Sequence, residues 1–435
     1  MKRLLICLVA LIAVFALVMP TYAAEMKVNG IWNAKAWARD NYDGDDDTDD
    51  STQYVTQRMR MYFNFIASEN LKLVYKNEID MEWGDAAFGN DGSGPNTAFR
   101  NSGGGMGGDT VNLETKNVYL EFMVPDTPVK ATLGLQGITL HKGWFISDDV
   151  GAARFDMNFD PVSITTYWAG AAGLEGGDSV SSNDNWQLVA SGAYKAENMD
   201  ARLTFGYERG PNDTTSADVP ESDDLFLVMG ELNMSFDMVS FFVIAGKNFG
   251  EVKSDGAGGD NDYKGYMVDA GVNFALDMAT IRARAFLASG DKEGDFEDDF
   301  QVMSGATMSW SELMSDGYTY DRNPGAALAS IGGANKPSNV YAINVGADLK
   351  PTDTTTLKFD VYYIGMVEDR TVGGDDEDEI GIEIDASLTQ KIYDTLSMTV
   401  IGAYLLAEDG YGAGAAATNS GDDAFQVGVG LDFKF

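Results

Sequence analysis

Charged side chains recur at two-residue spacing inside several otherwise apolar segments of the sequence. Arg58 and Arg60 stand two residues apart, and so do Glu78 and Asp80. Because residues i and i+2 of a β-strand point to the same side, each pair belongs to one face of a strand. Opposed charges on the wall of a water-filled pore create a field that selects passing ions and solutes. The spacing therefore predicts the polar wall of a channel.

The residues that we predict to line this pore share the inward position on strands whose other face is apolar. They are Arg58, Arg60, Lys72, Lys76, Glu78, Asp80, Arg154, Arg202, Arg282, Arg284, Lys358, Asp360, Glu383 and Asp385. The basic residues at positions 58–76 and 282–284 are candidates for a cationic strip along the pore. The alternative is that these charges pair with one another and fill a closed barrel, although a wide barrel cannot be filled by side chains alone.

Two aspartate-containing segments offer the oxygen ligands that Ca²⁺ prefers. Asp43, Asp45 and Asp47 have the alternate spacing of a calcium-binding loop, but Thr48 stands where such a loop has its turn glycine. Asp109 follows a glycine-rich run that matches a single calcium-binding nonapeptide. The alternative is that these acidic segments are solvated loops that concentrate cations, and the acidic run 375–379 is predicted to be another such loop. No other cofactor is expected.

Strict alternation of apolar and polar residues predicts the elements that position these charges. From Phe425 to Phe435 every odd-numbered position is apolar, while the even-numbered positions carry glycine or polar side chains. The segments 357–363 and 380–388 repeat the pattern. A strand of this kind can contact lipid on one face and water on the other.

The connections between strands indicate which β architecture forms. Short turns such as Asp160-Pro161 and Asp237-Met238 alternate with long segments rich in Gly and Asp. This arrangement predicts an all-β fold, a transmembrane antiparallel up-and-down barrel of about 18 strands. A barrel of about 16 strands is the alternative, because 152–169 has the least regular pattern.

The longest predicted loop, 290–339, has the length to fold inward and narrow the pore. In this loop Trp310–Met314 is predicted to form a short helix. An extracellular cap is the alternative.

The first 23 residues have the composition of a cleaved export signal. Lys2 and Arg3 precede an apolar stretch from Leu4 to Val18, and small residues surround Ala23. Residues 24–435 are therefore predicted to form the barrel, with long acidic extracellular loops. The net charge of −38 argues against nucleic acid as a partner.

Hydrolytic chemistry is not expected of this chain. His141 is its single histidine, and no serine motif surrounds it in the sequence. We therefore predict that the protein is not an enzyme.

A family resemblance follows from the last residues of the sequence. Phe435 is a terminal aromatic with Phe433 two positions before it, which resembles the assembly signal of bacterial outer-membrane proteins. Together with the leader and the alternating loops, the whole chain resembles the Gram-negative porins. The resemblance implies the cell outer membrane, contact with lipid and lipopolysaccharide, recognition by assembly machinery, and a homotrimer. The segment Glu379–Leu406 is similar to the last hairpins of alginate-export-type barrels.

The predicted function is a porin or channel for passive diffusion of small hydrophilic solutes or ions. Two alternatives stay open at this point. One is a specific channel for an anionic polysaccharide or oligosaccharide. The other is an envelope structural protein whose acidic loops bind divalent cations.

Overall fold

The computed structural model describes residues 25–41, 44, 46, 51–84, 113–172, 185–210, 222–253, 260–292, 297–315, 337–372, 375–412 and 421–435. The first nine strands, β1 to β9, are Glu25–Asp40, Thr52–Ser68, Leu71–Glu82, Glu114–Met123, Val129–Leu140, Ile146–Asn158, Val162–Ala172, Asn185–Ala196 and Met199–Arg209. Strands β10 to β19 are Ser222–Phe236, Val239–Lys253, Asn261–Asp262, Tyr266–Ala275, Ala279–Ala288, Val340–Thr352, Thr355–Val372, Asp375–Tyr393, Leu396–Ala407 and Ala424–Lys434. Two short 3-10 turns, His141–Gly143 and Asp409–Gly412, follow β5 and β18.

All strands form one antiparallel sheet that closes on itself. Each strand pairs with its neighbour along the chain, and β1 pairs with both β2 and β19. The two-residue strand β12 pairs with the end of β11, whose main partner is β13. The barrel therefore has eighteen long strands, as predicted. The alternative of sixteen is wrong because β6 and β7 pair over the full stretch from Gly151 and Gly170 to Asn158 and Ser163.

The barrel is apolar outside and polar or packed inside. On β16, Phe359 and Val361 are 48% and 47% exposed on the outer face, whereas Asp360 between them is 9% exposed on the inner face. The same alternation recurs on the neighbouring strands, so the outer surface offers an apolar band of the kind that faces hydrocarbon. No helix among the described residues is long and apolar enough to span a membrane.

Strand β17 begins earlier than the sequence pattern indicated. The acidic run 375–379, predicted to be a loop, forms the first residues of β17, and Glu377 pairs with Arg370 of β16. Opposite charges on directly paired residues stabilise an antiparallel ladder, which explains why this acidic stretch extends the hairpin. The loop prediction for this run is wrong.

Two connections fold into the lumen at the rim opposite the short turns. They are the turn 141–145 between β5 and β6, and residues 297–315 between β14 and β15. Trp144, Phe145, Phe300 and Met303 are all buried. The two segments bind each other, since Thr307 N–H donates to the Gly143 carbonyl at 3.2 Å. Their apolar side chains pack against inward-facing wall residues and form the main core of the molecule inside the barrel.

Candidate functional site

Strands β2 and β3 carry one group of the predicted pore residues on their inner face. Arg58 donates two hydrogen bonds to Asp80, at 2.7 and 2.8 Å, and Arg60 forms an ion pair with Glu78. The register of the ladder causes this pairing, because Arg58 lies opposite Asp80 and Arg60 lies opposite Glu78. The charges of this wall are therefore largely compensated by neighbours on the adjacent strand.

A second group lies on β14 and its neighbours. Arg284 binds Asp269 through two hydrogen bonds of 2.9 and 2.7 Å, and Asp269 is fully buried. Arg282 contacts both Asp348 and Asp360, at 3.0 and 2.9 Å. A planar guanidinium offers the parallel donors that bind a carboxylate in this bidentate way. The acids of these pairs come from strands β13, β15 and β16.

The predicted cationic strip is divided between these two walls. Its residues on β2 and β3 are separated from Arg282 and Arg284 by the nine long strands β4 to β11 and β13, so the two groups occupy nearly opposite sides of the barrel. Lys72 contacts Glu121 at 2.9 Å, and Lys76 lies 5.2 Å from the Tyr62 ring. The tertiary structure thus produces two separate groups of basic residues.

The remaining predicted pore residues also lie on inner faces of the barrel, and each contacts a different set of neighbours. Arg154 binds Asp156 at 2.9 Å, and Arg202 donates to Ser191 at 3.3 Å. Lys358 lines the cavity beneath the inward segment. These residues therefore belong to the lumen wall but do not form one continuous site.

Glu383 and Asp385 on β17 hold the inward segment in place. The Glu383 carboxylate accepts hydrogen bonds from the backbone N–H groups of Glu312, Leu313 and Met314, at 2.9, 2.7 and 3.2 Å. Consecutive N–H groups that converge in this way form a concave anion-binding turn. Trp310–Met314 is therefore not a helix, contrary to the sequence prediction. Its N–H groups bind side-chain oxygens and cannot form a helical ladder.

The turn between β5 and β6 has an unusual backbone. His141, Lys142 and Gly143 have φ values of 51°, 55° and 94°, so three consecutive residues adopt the left-handed region. For residues other than glycine this conformation costs free energy, and surrounding contacts must hold it. Trp144 supplies one such contact by donating from Nε1 to Asp269 at 2.9 Å.

His141 supplies the other contacts that hold this turn. Its Nε2 lies 2.7 Å from the Thr204 hydroxyl, and its Nδ1 lies 3.2 Å from a Glu231 oxygen. A hydroxyl, an imidazole and a carboxylate in this order have the composition of a hydrolase triad. Thr204 is fully buried and lines neither of the cavities described below, so no substrate can reach its hydroxyl. The cluster therefore serves to anchor the turn.

Two cavities lie in the lumen and meet at shared residues. The first, of about 270 Å³, lies beneath Met308 to Glu312 and is lined by both basic and acidic side chains of β14 to β17. The second, of about 280 Å³, reaches the short turn between β8 and β9. Lys142, Phe242 and Asn273 line both cavities. The two cavities therefore adjoin at these residues, and we refer to them together as the passage.

Sequence reasoning missed several residues of this passage. Lys142 stands in a connection, and alternation gives no information about residues outside strands. Asp269 and Glu231 occupy inward positions on β13 and β10 and could have been found by extending the two-residue pattern to those strands. Phe242 is apolar, so nothing in its type indicated a position on the wall of a polar passage.

The weak calcium candidates Asp43, Asp45, Asp47 and Asp109 lie outside the described residues. Among the residues that the structure does describe, no group of three or more His, Cys, Asp or Glu side chains is arranged to hold a metal ion. Calcium binding by the acidic loops therefore stays a prediction.

The fold of this chain is shared with solved proteins. Its closed barrel of eighteen long strands, with an apolar exterior and connections folded into the lumen, resembles the architecture of Gram-negative outer-membrane porins. Solved porin structures match the chain over nearly its full length. OpdK of Pseudomonas aeruginosa with vanillate has a TM-score of 0.58 at 10% identity, covering 94% of this chain and 98% of that chain.

Two further solved structures share the fold over a similar part of the chain. OccK2 (OpdF) of Pseudomonas aeruginosa in complex with glucuronate has a TM-score of 0.57 at 11% identity, covering 94% of this chain and 98% of that chain. OccAB3 of Acinetobacter baumannii has a TM-score of 0.57 at 11% identity, covering 94% of this chain and 100% of that chain. No protein-family model matches the sequence, and no curated protein matches it. The similarity to alginate-export-type barrels stays a prediction.

Proposed function

We propose that the protein is a passive channel for small hydrophilic solutes or ions in the outer membrane. The observation that carries the proposal is the passage of two adjoining cavities, lined by Lys142, Arg282 and Asp360 among others, inside a barrel with an apolar exterior. Charged and polar walls replace part of the hydration shell of a solute, while the apolar exterior suits lipid. Within the part of the chain that the structure describes, the cluster of Thr204, His141 and Glu231 is buried, so the proposal assigns it a structural role.

The structural neighbours suggest which solutes to test. Two of them were solved with vanillate and with glucuronate, which are small carboxylates. This passage has the size and the cationic groups to admit molecules of that kind. An extended anionic polysaccharide would need a wider lumen, since 141–145 and 297–315 both occupy the barrel interior. Small solutes are therefore the better fit.

Planar-bilayer recording in asymmetric KCl tests the proposal. The refolded protein should insert as discrete unit openings, and added glucuronate should interrupt the current in a concentration-dependent way. Heat-denatured protein at the same concentration is the control. Folded protein that inserts into the bilayer without any conductance would rule out the channel and favour a structural role in the envelope.

Assembly and oligomeric state are further parts of this proposal. Phe435 pairs with Gly30 of β1 through two backbone hydrogen bonds of 2.9 and 3.1 Å, and its ring stacks on Phe433 at 5.7 Å. These contacts lie at the seam where β1 meets β19, so Phe433 and Phe435 are in position to guide closure of the barrel. Phe435→Ala is expected to slow assembly into membranes, measured by the heat-modifiable mobility of the protein. A homotrimer would be tested by native mass measurement in detergent.

A further inference from the structure

Lys142 differs from four arginines of the inner wall in its electrostatic surroundings. Arg58, Arg60, Arg282 and Arg284 each form an ion pair with a carboxylate. Among the described residues, no carboxylate oxygen lies within 4 Å of the Lys142 ammonium. Its closest aromatic contact is the Phe242 ring, with Nζ 3.3 Å from the ring centroid. The positive charge of Lys142 is therefore left to act on whatever enters the passage.

The acids nearest to Lys142 are already engaged. Glu231 accepts a hydrogen bond from Asn233 at 2.8 Å and contacts His141 at 3.2 Å. Asp269 binds Arg284 and Trp144. Asp269 is therefore paired with Arg284, whereas Glu231 acts on the lysine only from beyond ion-pair distance. A charge that is not locally compensated generates a stronger field in a low-dielectric passage than an ion pair does.

The position of Lys142 also fits a role in selection. The side chain is exposed to the lumen and lines both cavities, so a solute that moves from the first cavity to the second must pass its ammonium. The left-handed backbone of the turn, held by His141 and Trp144, is what presents the lysine at this point. Backbone strain of this kind persists where surrounding contacts enforce a functional geometry.

We propose that Lys142 is the specificity-determining residue of this passage, and that its ammonium binds the anionic group of a solute where the two cavities meet. The inference rests on the proposed channel function and deepens it. It implies that selectivity is set locally, although the chain as a whole has a net charge of −38. The aromatic ring of Phe242 keeps the ammonium in place without neutralising it.

The test compares Lys142→Met with Lys350→Met in asymmetric KCl. Lys350 lies exposed near the turn between β15 and β16, so its replacement removes the same charge away from the passage. Loss of one uncompensated charge inside the lumen should lower the ratio of Cl⁻ to K⁺ permeability by about fivefold. Lys350→Met should leave the permeability ratio unchanged. Lys142→Arg keeps the positive charge and should therefore give the wild-type ratio.

Block by glucuronate supplies an independent readout, with neutral glucose as the matched probe. In Lys142→Met, block by glucuronate should weaken by about tenfold while the effect of glucose stays the same. A conducting Lys142→Met channel with unchanged permeability ratio and unchanged block would overturn the inference and leave the channel proposal intact. A wild-type protein without conductance would instead overturn the channel proposal itself. If Lys142→Met does not insert into the bilayer, the permeability ratio and the block by glucuronate are measured on Lys142→Gln instead.

Discussion

The carboxylate of Glu383, fully buried in the barrel wall, accepts a hydrogen bond of 2.7 Å from the backbone N–H of Leu313. This contact and its two neighbours attach the inward segment to β17 at a point about seventy residues away in sequence. Glu383 therefore helps to position the segment that covers the cavity lined by Trp310 and Glu312. Its replacement gives a direct test of how the inward segment narrows the passage.

Glu383→Leu should release the inward segment and raise the unit conductance. Leucine keeps the approximate volume of the side chain but removes an acceptor that three N–H groups share. The Leu313 N–H loses its acceptor, which costs about 1–3 kcal/mol, while the N–H groups of Glu312 and Met314 keep contacts of 3.2 Å with Asp385 and Ser311. Single-channel recording measures the result as larger and noisier openings. Asp378→Leu, at an exposed position of the same strand, is the matched control and should conduct like the wild type. Equal conductance of the two variants would contradict the role of Glu383.

Gly143→Ala should destabilise the folded barrel by separating the two inward segments. The residue has a φ of 94°, and a side-chain carbon at this position would overlap the Thr307 carbonyl. The expected cost is about 1–3 kcal/mol, measured as a lower temperature of unfolding in detergent. Gly192→Ala is the control, because nothing lies within 4 Å of the added carbon there and its φ is ordinary. A Gly143→Ala barrel as stable as Gly192→Ala would show that the two segments separate without cost.

Arg284→Met should be strongly destabilising because it leaves Asp269 buried without its cationic partner. Removing one member of a buried ion pair costs about 3–5 kcal/mol, as the remaining charge is not compensated. Chemical denaturation in detergent measures the loss. The double variant Arg284→Met with Asp269→Leu should recover part of the stability, since no buried charge is left and the remaining loss is that of the Trp144 Nε1–H acceptor. No recovery in the double variant would mean that Arg284 acts through its packing alone.

The anion preference of the channel should decline at alkaline pH earlier than exposed lysines allow. Burial lowers the pKa of the Lys142 ammonium below its ordinary value of 10.5, an effect that Glu231 and Asp269 oppose. The group is cationic below its pKa and neutral above it, so raising the pH removes its charge before that of exposed lysines. Reversal potentials recorded from neutral pH up to pH ~10.5 measure the change. Lys142→Arg should abolish it, because a guanidinium stays charged throughout this range.

The barrel itself was predictable from the sequence because it depends on local patterns. Alternation such as that from Phe425 to Phe435 has a period of two, and only strands with one apolar face satisfy it. The succession of short and long connections then indicated an up-and-down barrel of about 18 strands. The inward position of residues such as Arg58 and Asp360 follows from the same periodicity.

The candidate site was decided by contacts between residues far apart in the chain. Nothing local indicated that His141 would meet Thr204 and Glu231, or that Glu383 would bind the backbone of 312–314. Lys142 stands in a connection, where periodicity carries no information, and its left-handed backbone exists only because buried partners hold it. Strand pattern is set by each segment's own alternation, whereas the shape and charge of the passage depend on how two connections fold into the lumen.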